Sequence, residues 1–360
     1  MKELGISIYP FHSSMEENKN YLKLASKYGY KRVFTCLLSV DGDKDLIIKE
    51  FKEIISSANE LNMEVMVDVA PSIFDKLNIS YENLSFFKEI GAYGVRLDLG
   101  FSGNEESLMT YNEYNQVIEI NMSQDTNYVN TIMDYMPNKE KLVGCHNFYP
   151  HRYTGLSLEH FRNCNKRFKG FALKTSAFVT AKSATFGPWP VNDGLCTLER
   201  HRDLPIEVQG RELFNEGIDV VIISNCFASE EELKTLASIN RELLEFQCEV
   251  YDGTKEIERK IIEEELHYNR GDIGEFVVRS TQSRVKYKGT NFELFNSRDI
   301  EKGDIIIESS LYGQYAGELH IARKSMKNSG KTSVVGKLDE NYLHLLDDLK
   351  PWQKFKIKIK

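Results

Sequence analysis

Seven polar residues stand where short apolar runs end: Asp68, Asp98, Glu119, Asn121, Asn147, Lys174 and Asn225. Carboxylates, amides and a cation on one rim are the equipment of a polar pocket that moves protons and orients hydroxyls. Arg96 and Asp98 are two apart on an extended run, so they share a face, as do Glu119 and Asn121. A second group lies in two long connections. The run Cys145–Leu156 carries Asn147, Tyr149 and Arg152, and Arg152 can grip an anion with two parallel N–H groups. The stretch 176–205 carries Trp189, Glu199, Arg200, His201 and Arg202. A connection this long is more often functional than passive. Trp189 is suited to be a platform for a sugar ring. Plainer roles compete: a strand-end Asp can cap a turn, Trp189 can pack its own loop, and Glu199 can pair with Arg202 at i, i+3.

The elements that must position these residues repeat. Eight runs, Leu4–Tyr9, Arg32–Leu37, Glu64–Val69, Gly94–Leu99, Gln116–Asn121, Leu142–Asn147, Gly170–Thr175 and Asp219–Asn225, read as strands. Most are spaced by roughly 23 to 31 residues, the length of a β–loop–α–loop unit. The stretches between them read as helices. Ile47, Phe51, Ile54, Ile55, Ala58 and Leu61 form one apolar stripe. Residues 205–215 and 229–246 read alike, the second opening on Ser229 and three glutamates. Eight such units predict a TIM-like (β/α)8 barrel over residues 1–248, whose chemistry belongs at the C-terminal strand ends. An open doubly wound sheet is the alternative, but no Gly-rich phosphate turn follows the first strand. Past residue 248 the helical periodicity thins. Short alternating runs such as Asp304–Glu308 and Phe355–Lys360 predict a small all-β domain over 249–360.

Length and composition bound the rest. The chain has 360 residues, 54 acidic against 46 basic, and a net charge of −8, which argues against nucleic-acid binding by phosphate neutralisation. No apolar run is long enough to span a bilayer, and the N-terminus has too short a run for a signal peptide. The expectation is a protein with no membrane attachment. Six cysteines at 36, 145, 164, 196, 226 and 248 show no metal-ligand spacing, so no metal or other cofactor is expected. Reduced thiols in a cytoplasm are the simplest reading. The triplet Arg270-Gly271-Asp272 is a chance match to an adhesion tripeptide.

At these residues the sequence resembles the 6-phospho-N-acetylmuramidase glycoside hydrolases. The pieces are Leu4–Pro10, Val67–Pro71, Val95–Gly100, Ile118–Ser123, Cys145–Leu156, Gly194–Arg202 and Gly317–Ile321, in order along the whole chain. The resemblance implies an N-terminal TIM-like barrel and a C-terminal cyclophilin-like β-barrel. It also implies cleavage of the β-1,4 bond between N-acetylmuramic acid 6-phosphate and N-acetylglucosamine, a disaccharide of cell-wall recycling that is phosphorylated during uptake. Such hydrolysis usually takes two carboxyl groups. Asp98 and Glu119 are the favoured pair, with Asp68 and Glu199 as further candidates. Acid and base stay unassigned, and retention, inversion and assistance by the substrate's acetamido group all stay open. Arg152, Arg200, Arg202 and Lys174 are candidates for the phosphate. Arg96, Asn121, Asn147, Tyr149, Trp189, His201 and Asn225 are candidates for the sugars.

Two other functions compete. A sugar-phosphate aldolase or isomerase would use Lys174 as a Schiff base. A non-enzymatic sugar-phosphate sensor would bind without turnover. The partner expected is the phosphorylated disaccharide, with no nucleic acid and no membrane. The β domain could close a barrel mouth, its own or a neighbour's, or support a homodimer.

Overall fold

The computed structural model describes residues 2–37, 44–69, 73–74 and 79–360, with only the backbone at 44–47. Ala70 and Pro71, the end of one resembling piece, lie outside the described residues, as does the side chain of Ile47. The chain divides into two compact units, Met1–Ile239 and Asn240–Lys360.

The first unit is a TIM-like closed barrel of eight parallel strands in sequence order. They are β1 (Glu3–Ser7), β2 (Arg32–Cys36), β3 (Glu64–Val69), β4 (Gly94–Leu97), β5 (Val117–Asn121), β6 (Leu142–Cys145), β7 (Lys174–Val179) and β8 (Val220–Ile223). Alternation along each strand sorts the side chains. Leu4, Ile6, Val33, Val65, Val67, Val95, Ile118 and Ile120 face outward into one large apolar layer beneath the helices. Phe34, Cys36, Cys145, Phe178, Val220 and Ile222 belong to a smaller inner cluster. The helix Lys44–Glu60 buries Phe51, Ile54, Ile55 and Ala58, the stripe read from its periodicity. The helices Met15–Lys27 and Glu230–Ser238 both open on capping boxes, Ser14 with Glu17 and Ser229 with Glu232.

Two expectations are corrected. The seventh strand begins at Lys174, where the sequence reading had it ending. The apolar triplet Phe171-Ala172-Leu173 instead closes the helix Leu158–Gly170, with Ala172 at φ 60° and the Phe171, Ala172 and Leu173 amides bonded back to Phe168 and Lys169. A helix stop and a strand share this composition, and chain reversal decides between them. The helix from Ser229 ends at Ser238. Residues Leu244–Val250 form a strand, β9, of the second unit, so a division at 248 would cut it.

That unit is a nearly closed mixed sheet. Its other strands are β10 (His267–Tyr268), β11 (Val277–Ser280), β12 (Asp304–Glu308), β13 (Leu319–Ala322), β14 (Thr332–Leu338) and β15 (Lys354–Ile359). The order is β10-β15-β9-β14-β12-β13-β11, with β9 and β15 parallel and the other pairs antiparallel. The run Gly317–Ile321 enters β13 through a knot. The buried Glu318 carboxylate accepts from Arg279 and from His320 Nε2 at 3.0 Å, and lies 3.0 Å from Arg284. These contacts fasten β11 to β13.

All six cysteines are buried, and none forms a disulfide among the described residues. Among the described residues no helix is long and apolar enough to cross a membrane. Barrel closure depends on Gly94, where a Cβ would stand 2.4 Å from the Val117 carbonyl oxygen and 3.1 Å from Met66 Sδ. Backbone on β5 cannot yield cheaply. Gly94→Ala is expected to cost about 2 kcal/mol, lowering the melting temperature by roughly 4–8 °C in a calorimetric scan.

Candidate functional site

The C-terminal end of the barrel opens into a cavity of about 390 Å³, lined among others by Asp68, Arg96, Asp98, Asn147, Phe148 and Trp189. The register explains the gathering. Asp68, Arg96 and Glu119 are Cα partners on β3, β4 and β5, so their side chains point into the bore side by side. Arg96 is 2% exposed. Its Nη1 donates to Asp68 Oδ1 at 2.6 Å and lies 3.5 Å from Asp98 Oδ1, and its Nη2 donates to Asn147 Oδ1. Burial works against the Arg96 charge, but the carboxyl groups beside it outweigh that and hold the guanidinium protonated.

Asp68 is buried at the cavity floor. Desolvation pushes its carboxyl up to about 7 against the pull of Arg96, with the Asp98 charge adding to the rise. Asp98 is the more open partner, its side chain 35% exposed. Glu119 behaves differently from the expectation. It is buried beside Arg96, with Oε1 3.9 Å from Nε, and it is not among the residues lining the cavity. Burial raises its pKa, and Arg32 and Arg96 oppose the rise. The carboxyl pair facing the cavity is therefore Asp68 with Asp98. Asn121 accepts from the Ser123 amide at 2.9 Å and reaches the Asp98 carbonyl at 3.4 Å, shaping the turn behind the pair.

Trp189 stands at the cavity with its ring edge-on to Phe148 at 5.9 Å. Phe148 and His151 also line the cavity, though the residue-by-residue reading did not single them out. Their signal was their place in the run Cys145–Leu156, between Asn147 and Arg152.

Several expected ligand-binding groups serve the loops instead. Arg202 is buried, bonds both Glu199 oxygens through Nε and Nη2, and gives Nη1 to the Tyr149, Asp193 and Gly194 carbonyls. Glu199 also accepts from the Tyr153 and Gly155 amides at 2.8 and 2.7 Å. These donors, Arg202 first, pull its carboxyl down to about 2. Glu199 and Arg202 are thus a clamp between two loops. Tyr149 is half-buried in the same clamp, its amide bonded to the Cys196 carbonyl. His201 is buried against Glu212, which also pairs with Arg200. Asn225 closes a two-bond ring on the Ala181 backbone, 2.8 Å each way. Arg152 pairs with Asp203 at the surface, at 2.7 and 3.1 Å. Lys174, at the start of β7, lies at the opposite end of the barrel.

Phosphate in this fold commonly docks at the loops after the seventh and eighth strands. Here that cup holds a carboxylate. Glu232 accepts from the Lys182 and Ser183 amides, from the Ser183 hydroxyl, and from the Ser229 amide and hydroxyl. Among the described residues no group of three or more His, Cys, Asp or Glu could hold a metal ion.

Family comparison agrees with this layout. The description "6-phospho-N-acetylmuramidase, N-terminal" matches residues 4–238, and "6-phospho-N-acetylmuramidase, C-terminal" matches 244–358. The chain belongs to the 6-phospho-N-acetylmuramidase family. It is accordingly a glycoside hydrolase acting on a phosphosugar. The solved structure of an uncharacterized B. cereus protein is 45% identical over 99% of both chains, with a TM-score of 0.92. A conserved Enterococcus faecalis protein of unknown function shares the fold at 22% identity and a TM-score of 0.70, over 99% of this chain and 96% of that one. Among curated proteins, none matches in a sequence comparison.

In this 6-phospho-N-acetylmuramidase family member the Glu199 clamp has a signature in acid. A carboxyl at about 2 when folded, against 4.5 ordinarily, stabilises the fold above pH 4.5 and loses that contribution as the pH falls towards 2. The full effect is on the order of 3 kcal/mol. Glu199→Gln is expected to lower stability at neutral pH and to flatten the decline over that window, read from urea melts at successive pH values.

Proposed function

We propose that the protein hydrolyses the β-1,4 bond between N-acetylmuramic acid 6-phosphate and N-acetylglucosamine, with Asp68 as the general acid and Asp98 as the nucleophile. The observation that carries this reading is that Asp68 and Asp98 share one guanidinium nitrogen at the cavity. Contacts of 2.6 and 3.5 Å to that nitrogen keep the two Oδ1 atoms within about 6 Å, below the roughly 6.5–9.5 Å of inverting pairs. The product should therefore retain its anomeric configuration.

The environments separate the roles. Asp68 at about 7 keeps a substantial protonated fraction at neutral pH and can deliver a proton to the leaving oxygen. Asp98, nearer the opening, can attack the anomeric carbon. Arg96 fixes both and steadies the negative charge that Asp68 gains once its proton has left. Trp189 offers a sugar ring its face, and Asn147 is held by Arg96 beside the reacting bond.

The phosphate is assigned to Arg152, which adjoins the lining residue His151. Its pairing with Asp203 is an exposed one that phosphate can replace at little cost. Six cysteines outside any disulfide fit a cytoplasmic enzyme of cell-wall recycling.

Asp68→Asn and Asp98→Asn should each lower kcat on the phosphorylated disaccharide by roughly 10²–10⁴-fold. Wild-type turnover in both would overturn the assignment. Because protonated Asp68 is the active form, kcat/KM should fall as the pH rises through about 7, and Asp68→Asn should lack that limb. Arg152→Ala should raise KM for the phosphorylated substrate far more than for its unphosphorylated analogue. Equal changes would reject the phosphate assignment.

A further inference from the structure

The barrel has a second mouth. At the N-terminal strand ends lies a cavity of about 580 Å³, larger than the catalytic one, lined by Arg32, Tyr93, Lys139, Phe171, Lys174 and Val220 among others. Strand alternation puts Arg32 on β2 and Lys174 on β7 inside the bore, at its lowest level. Gly5 on β1 makes room for Arg32: a Cβ there would stand 2.9 Å from Arg32 Cβ.

Arg32 is 6% exposed, lies 4.7 Å above the Tyr93 ring and pairs with Glu64 through Nη2 at 3.0 Å, yet its buried Nε–H has no acceptor. A buried guanidinium N–H without an acceptor is costly. Lys139 and Lys174 make no ion pair with any described residue, although acids outnumber bases in the chain. Three cations converge here, and Glu140 is the lining acid. Phe171, Leu142 and Val220 supply the apolar part of the lining. The Ser176 side chain lies one layer further up the bore.

We propose that this mouth binds a small organic anion, its carboxylate or phosphate head on Arg32 and Lys174 and its apolar body against Phe171 and Val220. An anion would give the Arg32 Nε–H its acceptor and pair the lysines, and charge-assisted bonds of this kind are the stronger class. The site is distinct from the catalytic cavity. Arg32 also faces Glu119 further up the bore.

The test uses the full chain and inorganic phosphate as probe, with isothermal titration on wild type, on Lys139→Ala/Lys174→Ala and on Asp98→Asn. Both lysines are exposed, so the double variant should fold, as checked by circular dichroism. Saturable binding weakened about 10-fold or more by the double substitution, and unchanged by Asp98→Asn, is expected. No saturable binding, or equal binding in wild type and the double variant, would overturn the proposal. So would binding changed by Asp98→Asn alone. Arg32→Lys, which keeps the charge but removes the Nε–H, should weaken binding further if it folds.

Discussion

A full positive charge enclosed in a barrel is the constraint from which the rest follows. Taking a guanidinium out of water costs several kcal/mol, and only close anions and good hydrogen bonds offset it. Arg96 meets this demand through register. Asp68 and Glu119 sit on the neighbouring rungs, and Asp98 and Asn147 complete the ring at the top. Three carboxyl groups around one cation cannot all ionise at low cost. Burial raises both Asp68 and Glu119, and of the two only Asp68 lines the cavity. Desolvation lifts the Asp68 carboxyl to about 7, and the pairing with Arg96 holds that rise in check.

The loops obey a related rule. The long connection between β7 and the helix Ile206–Asn215 is ordered, with Leu195, Cys196 and Leu198 fully buried. Its backbone polar groups therefore need partners inside the protein. Arg202, Glu199, Thr197 and Asn225 supply them: Thr197 bonds the Asn147 carbonyl at 2.8 Å, and Asn225 mimics a strand neighbour for Ala181. Charged residues in a functional loop can thus be rivets, and the Thr197 bond holds Asn147 in place.

The barrel was legible because eight alternating runs and their helical spacers need only local periodicity. Seven runs match their strands to within two residues at each end. The seventh was displaced because Phe171-Ala172-Leu173 can end a helix or begin a strand. Its displacement carried Lys174 to the wrong rim. The strand Leu244–Val250 was hidden because it continues a helical pattern, and its partners β14 and β15 come about 90 and about 110 residues later. Within the site, Arg96 and Asp98 were legible from their two-residue spacing. Which carboxyl group faces the cavity was not: Glu119 and Asp98 both end strand-like runs, and only depth in the bore separates them.

The placement of the two tryptophans gives the molecule a built-in lamp for each unit. Trp189 stands at the cavity at the C-terminal strand ends, and Trp352 belongs to the second unit, 5.8 Å from the Tyr268 ring. Replacing Trp352 by Phe leaves a single indole whose emission colour follows the wetness of that cavity, so the arrival and departure of a ligand there can be watched without any added dye.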